Sequence, residues 1–243
     1  MRKYIYITLF LAIIAILFPI LLSGNSPRIL IFAKTVGYQH ESIEKAIVIL
    51  HKACSDRGIT ADTTRYASVF SIENLKRYKT VVFLNTSGDI LDDIQQKAFQ
   101  DYIRGGGGFV GVHAATDTEY EWPWYNQLVG AYFLSHPKQQ KAVIEVTDRS
   151  HPATSFLPEK WERTDEWYNF KNISKDIKVL ANLDEKSYEG GENGNGHPFI
   201  WCQEFEGGRS FYTGVGHRDD NYDEPLVIRH LLEAICWAGK IKN

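Results

Sequence analysis

Cysteine is scarce in this chain of 243 residues: Cys54, Cys202 and Cys236 are the whole supply, far apart in sequence. Such a count gives no disulfide framework. Cys54 and Cys236 fall in helical patterns and Cys202 in a strand pattern, so all three read as small buried apolar residues. An excess of positive charge is also missing. The 27 Lys and Arg stand against 30 Asp and Glu, for a formal net charge of −3. Nucleic-acid binding needs clustered Lys and Arg, so that class of partner is excluded. Internal repeats and interdomain linkers are absent. The run Gly105-Gly106-Gly107-Gly108 lacks the Lys-Ser/Thr that completes a P-loop. It reads as a helix stop and tight connection, ahead of a phosphate cradle. No two histidines stand at His-x-x-x-His spacing, so a metal site would have to be assembled from distant segments.

What is present is apolar and aromatic. Hydrophobic residues make up 44%, enough for a full core, with 6 Trp, 13 Tyr and 13 Phe. Aromatics gather over residues 120–133 and 161–170. Flat rings suit sugar faces, and they also fill cores. At the N-terminus, Arg2 and Lys3 precede an apolar run over 4–22, then Ser23-Gly24-Asn25-Ser26-Pro27. A basic start, apolar middle and small polar exit fit an export signal. The run also approaches the roughly 20 residues that span a bilayer, so an uncleaved anchor is the alternative. No cysteine follows it to carry a lipid. Residues 1–26 are thus read as signal peptide or membrane anchor, and 27–243 as one domain that is exported, either periplasmic or anchored. Contact with the membrane is expected only through the N-terminal segment.

Along that domain, 28–33 is a short apolar run suited to a central parallel strand. Ile43, Ala46, Ile47, Leu50 and Ala53 recur at helical spacing up to Gly58. Residues 60–66 form a weaker strand and 80–84 a second buried one. Leu91, Ile94, Ala98 and Tyr102 mark a helix ending at the glycine run, and 109–112 is a third buried strand. The alternation predicts right-handed crossovers and a mainly parallel sheet with helices on both faces. Beyond it, 141–147 and 177–183 read as strands. Residues 199–205 and 209–213 flank the hairpin signal Glu206-Gly207-Gly208, 184–197 is an exposed loop, and 225–238 is a closing helix.

Open α/β sheets bind ligands beyond the carboxyl ends of their strands. Four polar clusters fall there: 34–40, 85–89, 113–117 and 214–220. In the third, Gly111-Val112-His113-Ala114-Ala115 reads as a sharp strand-to-helix elbow that displays His113. His113 and His217 are candidates for proton exchange or for holding zinc or manganese. Asp219, two residues past His217, is the candidate to orient its ring. Asp117 and Glu166 are candidate acids or bases, since a carboxyl packed on aromatic rings can be raised in pKa. Tyr38, His40, His136, Trp122, Trp124, Trp167 and Arg218 are candidate substrate contacts. The tryptophans would form a sugar platform, and Arg218 would clamp an anion or pair with Asp219 or Asp220. His136 reads as ending an aromatic-rich helix. Each has a structural alternative: a core histidine, a solvated carboxylate, a core ring. His51 and His230 lie mid-helix and read as structural. His151 and His197 precede proline and read as loop residues.

Taken together, these stretches resemble the trehalose-utilisation (ThuA-like) family. The pieces that carry the resemblance are Lys34-Thr35-Val36-Gly37-Tyr38-Gln39-His40, Gly107-Gly108-Phe109-Val110-Gly111-Val112-His113-Ala114-Ala115 and Trp122-Pro123-Trp124-Tyr125. They continue with Leu128-Val129-Gly130-Ala131, His136-Pro137, Asp165-Glu166-Trp167-Tyr168-Asn169-Phe170, His197-Pro198-Phe199-Ile200-Trp201 and Gly216-His217. The resemblance implies a flavodoxin-like three-layer α/β/α domain of the class I glutamine-amidotransferase-like kind. Members of that wider group look like Gly-x-Cys-x-Gly at the elbow and His-x-Glu later. Here His113 replaces the cysteine, and His217-Arg218-Asp219 carries Asp for Glu. Without a thiolate no thioester forms, so a glutamine amidotransferase is not expected. The implied setting is carbohydrate catabolism, on a disaccharide or a 3-keto sugar, by a hydrolase, lyase or isomerase. The alternative is a non-catalytic sugar-binding or assembly protein at the membrane.

Overall fold

The computed structural model describes residues 26–242. The N-terminal signal or anchor expected over 1–26 lies outside the described residues but for its last position. Among the described residues no helix is long and apolar enough to cross a membrane.

The first half follows its sequence patterns. Strand β1 (Arg28–Phe32) leads to helix α1 (Ile43–Asp56) and back to β2 (Thr60–Thr64). A short helix α2 (Ile72–Leu75) precedes β3 (Thr80–Leu84), and α3 (Asp93–Arg104) precedes β4 (Gly108–Val112). β3 and β4 are buried at every position, as strands covered on both faces must be. α1 turns Ile43, Ala46, Leu50 and Cys54 inward, the three-and-four spacing of one helical face. α3 starts at a capping box: the Asp92 carboxylate accepts from the Gln95 N–H, and the Gln95 side chain accepts from the Asp92 N–H. It stops in the glycine run. A Cβ on Gly108 would stand 2.5 Å from the Ala238 backbone, so close packing requires that glycine.

The second half is built differently. Helix α4 (Pro123–Val129) is followed by β5 (Tyr132–Ser135), β6 (Gln140–Val146), β7 (Lys160–Asp165), β8 (Asn169–Lys171), β9 (Lys178–Leu183), β10 (His197–Phe205), β11 (Gly208–Thr213) and α5 (Pro225–Ala238). Nine strands form one sheet in the order β2-β1-β3-β4-β11-β10-β9-β6-β7, while β5 and β8 pair apart from it. The sheet is parallel from β2 to β11 and antiparallel from β11 to β7. It is therefore mixed, parallel in one half only, because hairpin and antiparallel returns replace helical crossovers in the other. Phe83 and Phe109 meet Phe99 of α3 on one face, and Phe211 meets His230 and Trp237 of α5 on the other, which makes three layers. All three cysteines are free and buried.

Two local departures matter for the site. α4 stops at Gly130, and β5 follows, so His136 leaves a strand instead of ending a helix. β7 carries no apolar alternation to betray it. Its inward positions are Trp161, Arg163 and Asp165, and the two charges face each other, Arg163 Nε lying 3.8 Å from Asp165 Oδ2. Counting antiparallel steps from β11, β7 points the same way as β11. Its carboxyl end therefore joins those of β1, β3, β4 and β11 at one rim.

Candidate functional site

The elbow after β4 is real. His113 has φ 46°, a left-handed conformation rare outside glycine. Its carbonyl accepts from Tyr212 Oη at 2.8 Å and from Thr116 Oγ1 at 3.3 Å. Its Nδ1 lies 3.0 Å from the Gly214 carbonyl. Gly214 has no room for a side chain, since a Cβ there would sit 2.2 Å from the Phe199 ring. The elbow does not display His113, however. The ring is fully buried and lies 4.1 Å, centroid to centroid, from Tyr168.

Around it the rim loops are stitched together. Ser42 Oγ and Asn85 Nδ2 both donate to the Gly216 carbonyl at 3.1 Å, and Asn85 Nδ2 also donates to Ser42 Oγ at 3.1 Å. The polar cluster after β3 thus holds the loops after β1 and β11 in register. Asp165 Oδ2 accepts from the Gly216 N–H at 3.3 Å and from Asn221 Nδ2 at 2.6 Å, tying the end of β7 to the loop that carries His217. Arg163, which the sequence reading passed over, braces the same junction from below. It donates to Asn221 Oδ1 at 2.5 Å and to the Glu224 carboxylate at 3.1 Å.

These loops bring four groups together. Ligand-type atoms of His40, His113, Glu166 and His217 all lie within 4.8 Å of one another. Glu166 Oε2 is 3.4 Å from His113 Nε2 and 3.1 Å from His217 Nδ1, while Oε1 is 3.3 Å from His136 Nδ1. Burial opposes ionisation of Glu166, but the approach of His113 and His217 outweighs it and holds the carboxyl below the usual range. His40 packs edge-on against the His113 and His217 rings at 4.9 and 5.0 Å. Burial first, then these two rings, push its pKa down to about 2, so it is neutral. Imidazoles and a carboxylate in this arrangement can hold a metal or relay protons.

Above the cluster lies a pocket of about 310 Å³, walled by Tyr38, Phe133 and Tyr168 and lined by Asp117, His136 and Glu166. This is the size of a small-molecule site. Asp117 accepts from Tyr120 Oη at 2.6 Å. Burial still raises its carboxyl above the ordinary value, against that hydrogen bond. A groove of about 470 Å³ shares Tyr38, Gln139 and His217 with the pocket and adds Arg218, Asp219 and Asp220.

The structure gathers Tyr38, His40, His113, Asp117, His136, Glu166 and His217, and it separates the rest. Asp219 does not orient His217: that ring faces Glu166 through Nδ1 and Gln139 through Nε2, at 2.7 Å. Asp219 lines only the outer groove. Arg218 pairs with Asp220 at 2.6 Å and donates to Gln139 Oε1 at 3.2 Å. The tryptophan platform is not assembled. Trp122 stacks on Trp124, whose Nε1 donates to Glu206 in the β10–β11 turn, at the opposite end of the sheet. Trp167 is fully buried and donates to the Gln140 carbonyl at 2.8 Å. Phe133, Tyr168 and Gln139 take the places around the pocket instead. Only their neighbourhood in an aromatic stretch, or beside His136, signals them in sequence.

Fold and rim together define a class: an α/β protein with its polar pocket at the carboxyl edge of the sheet and a histidine at the strand-to-helix elbow. Within that class the chain belongs to the ThuA family, whose model, described as trehalose utilisation, matches residues 28–238. A ThuA-like protein from Bacteroides uniformis is 27% identical, with a TM-score of 0.76 over 88% of this chain and 93% of that one. Another from Parabacteroides merdae is 20% identical, with a TM-score of 0.73 over 89% and 91%. A β-galactosidase from Bacillus circulans sp. alkalophilus is 13% identical, with a TM-score of 0.60 over 89% of this chain and 31% of that one. The last two likenesses are of fold alone. No curated protein matches the chain.

Proposed function

We propose that this protein is an enzyme of carbohydrate breakdown that acts on a disaccharide, in its 3-keto form, in the pocket above Glu166. One observation carries the reading. Two carboxyl groups with opposite pKa tendencies, Asp117 raised and Glu166 lowered, line one aromatic-walled pocket. A carboxyl raised by burial beside a pocket is the candidate acid of the pair. Asp117 is the proton donor to the departing sugar oxygen. His136, exposed at the pocket edge, accepts a proton from the carbon that the keto group acidifies. Glu166, with His113 and His217, forms the polar floor. Tyr38 and Tyr168 offer faces to the sugar ring. None of the pocket-lining residues is a cysteine, so a thioester route does not enter the reading. We place the reaction outside the cytoplasmic membrane, on the export-type sequence of residues 2–27.

The test is turnover. The full-length chain is assayed on 3-keto and unmodified disaccharides, with divalent metals added and withheld. The expected result is turnover of a 3-keto substrate, and a fall in kcat of about 100-fold or more for Asp117→Asn. No turnover of any sugar would sink the enzyme reading. A second reading, sugar binding without chemistry, draws on the Tyr38 ring, which is 62% exposed beside the pocket. Unchanged sugar affinity in Asp117→Asn, with no product from either protein, would favour it.

A further inference from the structure

We infer that His40, His113, His217 and Glu166 are the ligands of one divalent transition-metal ion at the floor of the pocket. The role of that ion in turnover rests on the sugar-site reading; the ion site itself rests on the four side chains.

The argument starts from hydrogens. The Gly214 carbonyl can only accept, so His113 Nδ1, 3.0 Å away, carries the proton. A neutral ring then aims the lone pair of Nε2 at Glu166 Oε2, 3.4 Å away, which is also an acceptor. Two acceptors facing each other in a buried site repel, unless something positive lies between them. His113 Nε2 is buried with no hydrogen-bond partner, and His217 Nδ1 is in the same state. His40 poses the problem twice over. The residue is 3% exposed, and both of its ring nitrogens are buried and unbonded. Buried polar groups in folded proteins are almost always satisfied. A proton placed on His113 would answer one contact and leave His40 unanswered. An ion at the centre of the four takes one nitrogen from each ring and one oxygen from Glu166.

Distances and surroundings agree. Zinc holds nitrogen and oxygen ligands at about 2.0–2.2 Å, which puts neighbouring ligand atoms about 3.4 Å apart in a tetrahedral set. Glu166 Oε2 stands 3.4 and 3.1 Å from the facing nitrogens of His113 and His217, and the whole set lies within 4.8 Å. Metal-bound histidines usually have the remote nitrogen fixed by a second partner. Here the Gly214 carbonyl holds His113, and the Gln139 side chain stands 2.7 Å from His217 Nε2. With Nδ1 of His217 on a metal, Nε2 carries the proton, so Gln139 must turn its amide oxygen toward it and give up the 3.2 Å bond from Arg218. Three imidazoles and one carboxylate suit zinc and neighbouring first-row ions, and do not suit calcium or magnesium, which take oxygen ligands. An ion there would leave Asp117 and His136 free for proton transfer.

The full-length chain, stripped with a chelator, is titrated with Zn²⁺ by calorimetry and with Co²⁺ by visible absorption. Expected are one ion per chain, Co²⁺ bands of a four- or five-coordinate site, and binding at least about 10-fold weaker in His40→Ala and Glu166→Gln. Trp124→Phe should bind like the parent. Absence of stoichiometric binding, or equal affinity in both ligand variants, overturns the site. Should either variant fail to fold, X-ray absorption on the zinc-loaded parent decides: scattering from about three imidazoles supports the site, and from one or none overturns it. Turnover by protein that elemental analysis shows to bind no ion removes the metal site and leaves the sugar reading standing. A bound ion with no turnover of any sugar does the reverse.

Discussion

The buried histidines at the rim and those beneath α5 stand in different surroundings, and the difference between them separates a site from a core. Beneath α5, His230 Nδ1 donates to the Ala153 carbonyl at 2.8 Å, and its ring meets Phe211 and Trp161 at 5.5 and 6.1 Å. His151 Nδ1 accepts from the Ala153 N–H at 3.2 Å, and its ring meets Phe211 and Trp237. Each has one ring nitrogen, Nε2, with no hydrogen-bond partner, and each rim histidine likewise has at least one such nitrogen. A single orphaned nitrogen is therefore not evidence of function. At the rim, three rings from separate loops face one another and one carboxylate. In the core, each ring faces aromatic surface, and among the described residues neither pairs with a carboxylate. Convergence on a shared acceptor is what distinguishes the rim.

The sharpest way to break this comparison is a pair of substitutions. Glu166→Gln should lower kcat by about 100-fold or more, the loss typical of a group acting in the transition state. Its unfolding midpoint, measured without added metal, should fall by less than that of a core deletion, because the new amide can donate to His113 Nε2. His230→Ala should do the opposite, keeping kcat while losing about 2–3 kcal/mol of stability through the cavity it leaves. Steady-state kinetics and urea unfolding on both variants decide. Matching losses of activity and stability in the two would erase the distinction.

Arg163 links rim and core, and its removal is the next largest effect. Its side chain is 2% exposed and faces Asp165, which is 0% exposed. Arg163→Met should cost about 3 kcal/mol or more, because it strands a buried carboxylate. Asp165 also holds Gly216 and Asn221. KM and kcat should therefore both worsen, even though Arg163 does not line the pocket. Loss of stability with unchanged kinetics would show that the loop carrying His217 is held by other contacts.

The same residue explains where sequence reading runs out. β1, β3, β4, α1, α3 and the β10–β11 hairpin are legible because apolar period and turn glycines agree there. β7 is not, since two of its three inward positions are charges, Arg163 and Asp165, whose hydrogen-bond partners lie in the loop over 216–224, and in the sequence they look solvated. Glu166 was nonetheless findable as a carboxylate among aromatics, and it falls at the rim because β7 ends there. His40, His113 and His217 are legible as polar residues after strands. Their facing one another is not, because the stitching through Ser42, Asn85 and Gly216 joins segments that sequence distance keeps apart. Composition misleads at the tryptophans. Trp122, Trp124 and Trp167 are conspicuous, yet they pack inside or at the far end, while Tyr168 and Phe133 wall the pocket.

Acid sharpens the contrast from the core side. Burial pushes the pKa values of His151 and His230 down to about 4 from 6.5. Both rings are neutral in the fold over this range. As pH falls through 6.5 the unfolded chain takes up protons that the fold refuses, so stability is lost progressively until about pH 4. Each ring contributes at most about 3 kcal/mol to that loss. His230→Leu should flatten the slope of unfolding free energy between those limits, measured by urea titration at stepped pH. An unchanged slope would mean that His230 is already protonated in the fold.

The smallest expected effect tests the far end of the sheet. Trp124 Nε1 donates to Glu206 at 2.9 Å, and Glu206 also accepts from Arg104 Nε at 2.8 Å. Trp124→Phe deletes the first bond and keeps the second. It also keeps an aromatic ring against Phe205 and Phe99, which lie 5.4 and 6.2 Å from the indole. One hydrogen bond to a partly exposed carboxylate is worth about 1 kcal/mol, so the unfolding midpoint should fall by a few degrees at most. Sugar affinity and kcat should not move, because the indole sits at the opposite end of the sheet from Glu166. A fall in sugar affinity with stability intact would restore a binding role to the tryptophans and shift the ligand away from the rim.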